Sequence, residues 1–373
     1  MRIGLNLLPV VPGVGGSWHY ISSLIAALSE RDAKNKYVAF VTPASASIVP
    51  DRPNFEVREL ALHARSRPLR VAFENTAFRL VAGRARLDCM HHFFGSLPLF
   101  AHVPSVVTVH DLMVFERPWD FTRVKRMYLQ RMLRRTAKHA TVIAPVSRST
   151  GEHIQRLFGV PWERMQVVPA ILRDTFRRAD PVRVERFRAD HGLPTRFWVC
   201  VSGAYPHKNF DRLLAAFAAL RRDDPAGWPL VIRGDPMDDI RRLIAHHGVQ
   251  RTVHVLPRLA DETMPLLYTA ASALVSPSLF EGGGIPVMEA MACGCPVAAS
   301  DIPTTREFAS AAALRFDPTS VEAIVAAMRE CEGSADRRAA MSRAGLEAAR
   351  AFDPAVVVPA CLAAYGRAVG PRP

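Results

Sequence analysis

The sequence predicts an α/β protein built from two doubly wound, Rossmann-like domains. Three observations carry this. The chain has 373 residues, more than one hydrophobic core comfortably serves, and 49% of them are hydrophobic, ample for two cores. Short apolar runs alternate with helical periodicities, the mark of parallel strands covered by helices on both faces. The opening pattern of strand, glycine-bearing turn and helix starts again in the second half.

The first strand runs through Arg2–Leu8 and ends at Pro9. A loop containing Gly13, Gly15 and Gly16 leads to a helix with Ile21, Leu24, Ile25 and Leu28 on one face. Glycines between strand and helix let backbone approach a phosphate, and the free N–H groups of a helix start suit an anion. Trp18, His19 and Tyr20 follow, and either face a ligand or cap the helix and pack. Strands are predicted at Tyr37–Thr42, Cys89–Phe93, Val103–Val109 and Thr141–Pro145, and helices at Leu69–Leu80, Thr122–Lys138 and Arg148–Phe158. The strand ending at Val109 delivers His110-Asp111-Leu112 to its carboxyl end, where open α/β sheets bind ligands. His91 and His92 end another strand and are read as framework. The first domain is taken as residues 1–170 and the second as 171–354. The tail, 355–373, is expected to pack back on the first domain.

The second domain opens with the strand Phe197–Ser202 and a loop, Gly203 to Asn209, before a helix with Leu213, Leu214, Phe217 and Leu220 on one face. Lys208, the only lysine after position 138, sits on that loop, where a cation would stabilise charge on a departing diphosphate. A helix over Glu262–Tyr268 leads to a buried strand, Ser272–Val275. Three glycines, Gly282, Gly283 and Gly284, then precede Ile285 and Pro286, the latter suited to the first turn of a helix. Two carboxylates bracket this turn: Glu281 before the glycines, and Glu289 eight residues later, about two turns into the helix. Helices at Val321–Arg329 and Ala335–Phe352 close the domain.

Charge is uneven. The net +13 divides into +11 over residues 1–170, with 23 Lys/Arg against 12 Asp/Glu, and +2 over the remainder. Much of the excess lies on Thr122–Lys138, which carries Arg123, Lys125, Arg126, Arg131, Arg134 and Arg135 with Met127, Leu129, Met132 and Leu133 interleaved. A second basic stretch comprises Arg65, Arg67, Arg70, Arg79, Arg84 and Arg86. Basic and apolar residues on one element suit an anionic membrane surface, and equally a solvated helix face. Nucleic acid is disfavoured: no recognition motif is present and few aromatics accompany the charges. The six cysteines are scattered, with Cys293 and Cys295 lacking a second pair, so a zinc site is not expected; buried free thiols in a reducing cytosol are. No run of 18 apolar residues exists and the N-terminus reads as a strand, so neither a transmembrane helix nor a signal peptide is expected.

The string Ser276 to Val297, with Glu281 and Glu289 in Glu-x7-Glu spacing, Glu289-Ala290-Met291 and Gly294-Cys295-Pro296-Val297, resembles the signature of retaining GT-B glycosyltransferases, in particular glycosyltransferase family 4. His110-Asp111-Leu112 is similar to the triad of a branch rich in mannosyltransferases. The resemblance implies two Rossmann-like domains facing each other across a cleft. It implies that Glu289 accepts bonds from ribose hydroxyls and that Gly282, Gly283, Gly284 and Ile285 hold the diphosphate. Lys208 then neutralises the leaving group and Glu281 bonds the donor sugar. His110 and the Gly15–Gly16 loop lie on the sugar's other side. His207, Asn209 and Arg258 fall in donor-binding segments, and the backbone of Val253–Arg258 reads the base. The implied reaction needs no metal and no cofactor beyond a nucleotide-sugar donor such as GDP-mannose. The implied acceptor is a lipid-linked or cell-surface glycan reached from the cytosolic face of the membrane. Three departures stand out. Ala170-Ile171 replaces the usual Asn-Gly of the crossover. Gly283 is often aromatic in relatives. The usual Arg near Lys208 is absent, with Gly203, Ala204 and His207 in its place. Two other readings stay open: an epimerase or phosphorolytic enzyme of the same fold, and a non-catalytic, membrane-docked nucleotide-sugar-binding protein.

Overall fold

A computed structural model of the chain describes residues 1–13, 15–61, 67–99, 101, 103–203, 205–234 and 237–370, the side chains of Arg67 and Met237 apart. Arg65 and Ala204, invoked above, lie outside these. The chain divides into two units, Met1–Ile171 with Phe352–Pro373, and Leu172–Ala351.

The first unit holds a parallel sheet of β1 (Arg2–Asn6), β2 (Lys36–Val41), β3 (Phe55–Glu59), β4 (Cys89–His92), β5 (Ser105–Val109) and β6 (Val142–Pro145) in the order β3-β2-β1-β4-β5-β6. The second holds β7 (Trp198–Val201), β8 (Leu230–Arg233), β9 (Val253–Leu256), β10 (Ala273–Ser276), β11 (Val297–Ser300) and β12 (Ala313–Phe316) in the order β12-β11-β10-β7-β8-β9. Both orders are the doubly wound one. In each, succession reverses beside the first strand, between β1 and β4 and between β7 and β10. Parallel strands buried on both faces explain the near-continuous apolar runs of β2, β5, β7 and β10.

Local signals place most boundaries. Thr122, Ser147, Ser320 and Ser334 cap the helices that follow them, and Gly159 takes φ 66° to close helix Arg148–Phe158. Two expectations change. The stretch Leu69–Leu80 forms two helices, Arg67–Glu74 and Phe78–Gly83, rather than one. Asn75 breaks it: its Nδ2 bonds back to Val71 O at 2.7 Å and its Oδ1 accepts from Leu99 N at 2.9 Å, so the side chain competes with the helix ladder. β3 was not anticipated, because three of its five residues (Glu56, Arg58 and Glu59) are charged, as suits an edge strand.

Helix Pro354–Val369 packs on helix Gly15–Arg31 and on β4, β5 and β6, burying Val357, Val358, Cys361, Ala364, Tyr365 and Ala368. By length and composition Ala335–Val369 is apolar enough to cross a membrane, but it divides into helix Ala335–Ala349, the short turn Arg350–Phe352 and this buried helix. On the basic helix Arg123–His139 the interleaving reads differently from its sequence. Met132 and Leu133 are core and Leu129 packs on it, leaving Val124 and Met127 as the exposed apolar residues, 80% and 61% accessible. All six cysteines are buried and unpaired.

Candidate active site

The switch point of the second sheet gathers the residues singled out in the sequence. The loop after β7 forms a turn at Pro206–Lys208 and passes through Asn209, at φ 59°, into helix Phe210–Asp223. Asn209 takes that left-handed conformation because its buried side chain is tied down: Nδ2 donates to Pro277 O at 3.0 Å and to Pro318 O at 2.8 Å. Its amide therefore braces the loop against the one after β10. Leu279 N donates to His207 O at 2.8 Å and completes the seam.

Across that seam Lys208 Nζ meets Glu281 Oε1 at 2.6 Å, both side chains being 17% exposed. Burial pushes the Glu281 carboxyl up, but the Lys208 ammonium, bonds from Lys208 and Ser278, and the nearby His207 outweigh it and hold the group below the usual carboxylate range. Glu281 is thus an ionised acceptor. Its backbone carbonyl takes a 2.6 Å bond from Thr304 Oγ1. Ser276, Ser278, Ser300, Thr304 and Thr305 line a small hollow with Glu281, Gly284 and the apolar Val287, Ile302 and Phe308.

Gly284, at φ 61°, is the residue before helix Ile285–Ala292, and Pro286 sits in its first turn. A side chain at Gly284 would be strained by that conformation. The glycine turn and helix start thus present backbone N–H groups at the carboxyl end of β10. Because the helix begins at Ile285, Glu289 lies little more than one turn in, not two. It is 8% exposed and accepts a 2.8 Å bond from Tyr268 Oη. Burial raises its pKa to about 7, against the bond from Tyr268 and the pull of Arg173 and Arg233; Asp261 acts with burial. Arg173 is paired with Asp261 at 3.0 Å. Arg258 is exposed on the loop after β9, and His207 lies parallel to Tyr205, centroids 5.9 Å apart. Tyr268, Arg173, Arg233, Ser300 and Thr304 were given no role in the sequence reading, since each lies outside the Ser276–Val297 string and reaches it through the fold.

In the first unit, Gly15 and Gly16 are exposed at the start of helix Gly15–Arg31, Gly15 at φ 76°. Beyond β5, His110 Nε2 donates to Phe93 O at 2.8 Å, so Nδ1 carries the lone pair. Burial lowers its pKa to about 4, which leaves the ring neutral. Tyr20 meets it edge-on at 5.0 Å and anchors its own hydroxyl on Val168 O at 3.0 Å. On helix Arg123–His139, Arg135 is committed to the carbonyls of Leu97, Pro98 and Leu99, while Arg123, Lys125, Arg131 and Arg134 are exposed and Arg126 half-buried. Among the described residues no group of three His, Cys, Asp or Glu has metal-holding geometry.

Two doubly wound units, with an acid–glycine–acid turn opposed by a lysine in the second, define the GT-B class of glycosyltransferases. Residues 183–348 match the family "Glycosyl transferases group 1" and residues 14–171 match "Glycosyltransferase Family 4". Together these two glycosyltransferase models cover most of the chain, one on each unit. It is 29% identical over 253 residues to an O-antigen chain mannosyltransferase B of Escherichia coli, spanning 66% of each chain. It is 30% identical over 225 residues to a GDP-mannose-dependent alpha-(1-6)-phosphatidylinositol monomannoside mannosyltransferase of Mycolicibacterium smegmatis, spanning 57% of this chain and 58% of the relative. The aligned stretches thus cover about two thirds or less of these relatives' length. In structure the chain is similar to a sucrose-phosphate synthase of Thermosynechococcus elongatus, with TM-score 0.79, 17% identity and 98% of each chain covered.

Proposed function

We propose that this protein is a retaining glycosyltransferase that moves mannose from GDP-mannose to a hydroxyl of a lipid-linked, cell-surface glycan, working at the cytosolic face of a membrane. The observation that carries the reading is the Lys208–Glu281 pair set beside the Gly282–Gly284 turn at a sheet switch point. The diphosphate lies on the backbone N–H groups of the turn and helix start, and Lys208 turns its remaining donors to the oxygen that leaves. Glu281, kept ionised, accepts from hydroxyls of the donor sugar, and Glu289 accepts from the ribose. On the first unit, the roles given to His110 and Gly15–Gly16 belong to the same proposal; the neutral His110 ring offers Nδ1 as an acceptor. The acceptor oxygen bonds to the anomeric carbon on the face that the phosphate vacates, and the hydroxyl proton passes to the departing diphosphate. Configuration is thereby retained without a protein nucleophile.

The named activities of the two curated relatives support mannose, and that of the second supports the GDP donor. The exposed Val124 and Met127 among Arg123, Lys125 and Arg131 support a peripheral seat on anionic lipid. The test is Glu281→Ala. Transfer from GDP-mannose is expected to fall by roughly two to three orders of magnitude, the range for losing one preorganised polar partner of the transition state, with the protein still folded. Near-normal turnover refutes the assignment. An epimerase would convert a nucleotide sugar without any acceptor, and that incubation separates the two chemistries.

A further inference from the structure

The carboxyl end of the first sheet holds a polar cluster that none of the roles above uses. Asn6 and His92 are the last residues of β1 and β4 and are register partners, so both stand at the switch point of that sheet. The corresponding place in the second sheet is the one that leads to Lys208 and Glu281. Asn6 Oδ1 accepts from Leu8 N at 3.3 Å, which fixes the amide's orientation. Its Nδ2 then donates to Glu74 Oε1 at 2.8 Å and to His92 Nδ1 at 3.2 Å. An amide nitrogen only donates, so His92 Nδ1 is the acceptor and the ring proton sits on Nε2. No described residue accepts from that N–H. Burial keeps the ring neutral, with its pKa down to about 3.

Glu74 ends helix Arg67–Glu74 with its side chain 10% exposed. Oε2 lies 3.6 Å from Arg70 Nε, beyond hydrogen-bond range, and Arg70 Nε has no hydrogen-bond partner. Tyr128, half-buried on helix Arg123–His139, is close enough to feel both charges. The neighbouring His91 shows what a framework histidine does here. Its Nδ1 meets Tyr365 Oη at 2.9 Å and its Nε2 meets Thr108 Oγ1 at 2.7 Å, so both nitrogens are used. The cluster at Asn6 is not closed in that way. It offers one N–H donor, on the side of the His92 ring turned away from Asn6, and one Glu74 oxygen that no hydrogen bond among the described residues occupies. A sugar hydroxyl donates and accepts at once, and the several hydroxyls of one ring can serve such a donor and such an acceptor. An anion fits it less well, because Glu74 already opposes Arg70.

We propose that Glu74 and His92, aligned by Asn6 and backed by Arg70, read the hydroxyls of a neutral pyranose, the acceptor's sugar under the transferase reading on which this rests. The test uses the full chain with methyl α-D-mannopyranoside as probe, followed by saturation-transfer NMR, with the unfolding midpoint of the ligand-free chain as the measure of a folded first unit and the GDP-induced thermal shift as that of the second. Glu74→Gln and His92→Phe are each expected to weaken the hexoside roughly tenfold or more, the loss typical of a hydrogen bond to a charged or buried polar partner, and to leave the GDP shift in place. If Glu74→Gln loses the GDP shift, Glu74→Asp, which withdraws the carboxylate by one methylene, must weaken the hexoside instead. Unchanged hexoside binding in the folded variants overturns the proposal. So does binding lost only in Glu281→Ala, which puts the probe on the second unit. Inorganic phosphate bound through Arg70 in place of the hexoside overturns it as well, in favour of an anion site. Hexoside binding that depends on Glu74 in a protein that transfers nothing keeps this site and sinks the transferase reading; transfer with hexoside affinity indifferent to Glu74 does the reverse.

Discussion

Glu289 offers the sharpest handle on donor binding, because its charge is poised. The carboxyl is raised from an ordinary 4.5 to about 7, chiefly by burial. A ribose diol donates two hydrogen bonds and needs the ionised form. With a pKa of about 7, roughly a tenth of the empty sites are ionised at pH 6 and roughly nine tenths at pH 8. The Kd for GDP is therefore expected to be about tenfold weaker at pH 6 than at pH 8, with protons released on binding near neutrality. Glu289→Gln removes this dependence and leaves only the pH response of the diphosphate itself, which both proteins share. Calorimetric titration at pH 6, 7 and 8, in two buffers of different ionisation enthalpy, reads affinity and proton release together. Parallel pH profiles for the two proteins, or proton uptake, refute the reasoning. The same shift has a consequence for stability. Between pH 4.5 and about 7 the unfolded chain gives up this proton while the folded chain keeps it, so stability falls as pH rises. Above the folded pKa the penalty is complete, at about 3 kcal/mol from 1.36 kcal/mol per unit. Glu289→Gln is thus expected to raise Tm more at pH 8 than at pH 5, the opposite of removing a salt-bridged acid.

Two further outcomes follow from packing and from surface charge. Gly234 lies directly beneath Ser202: an added Cβ would stand 2.0 Å from Ser202 O and 2.9 Å from Ile240 Cδ1. Gly234→Ala is expected to cost about 2–4 kcal/mol, since backbone must move, and a loss of unfolding free energy of less than about 1 kcal/mol in urea titration would count against that packing. The double variant Val124→Asp with Met127→Asp places two acids among Arg123, Lys125 and Arg131. It is expected to abolish sedimentation with phosphatidylserine vesicles at low salt, each cation contributing about 1 kcal/mol at such a surface, and unchanged sedimentation would remove this helix from the membrane reading.

The parts of the site legible in the sequence are those whose cause is local. Three glycines followed by Pro286 specify a turn and a helix start, and the structure opens the helix at Ile285. The apolar runs of β7 and β10 place Lys208 and Glu281 after strand ends. Thr122 and Ser147 cap the helices that begin at Arg123 and Arg148, a local cause that the residue types themselves carry. Where side chains act at a distance the reading failed. Asn75 split a helix that its periodicity left whole, because the loop at Leu99 uses its carbonyl. His91 and His92 look alike in sequence, yet one is closed on both sides by Tyr365 and Thr108 while the other keeps a donor. Met132 and Leu133, interleaved with the basic residues of a helix that suited a membrane surface and a solvated face equally, proved to be core.

By itself, then, the chain's order of residues determined two α/β halves, the glycine turn, the acids at 281 and 289 and the uneven charge, since each depends on contacts within a turn or two. Only the tertiary structure decided which groups meet: Lys208 with Glu281 across 73 positions, Tyr268 with Glu289, and Glu74 with Asn6 and His92. Parallel strands are joined by long crossovers, so neighbours at a sheet's carboxyl end are distant in sequence. Burial, which sets the charge state of Glu289 and the neutrality of His92 and His110, belongs to the packed whole and to no segment of it.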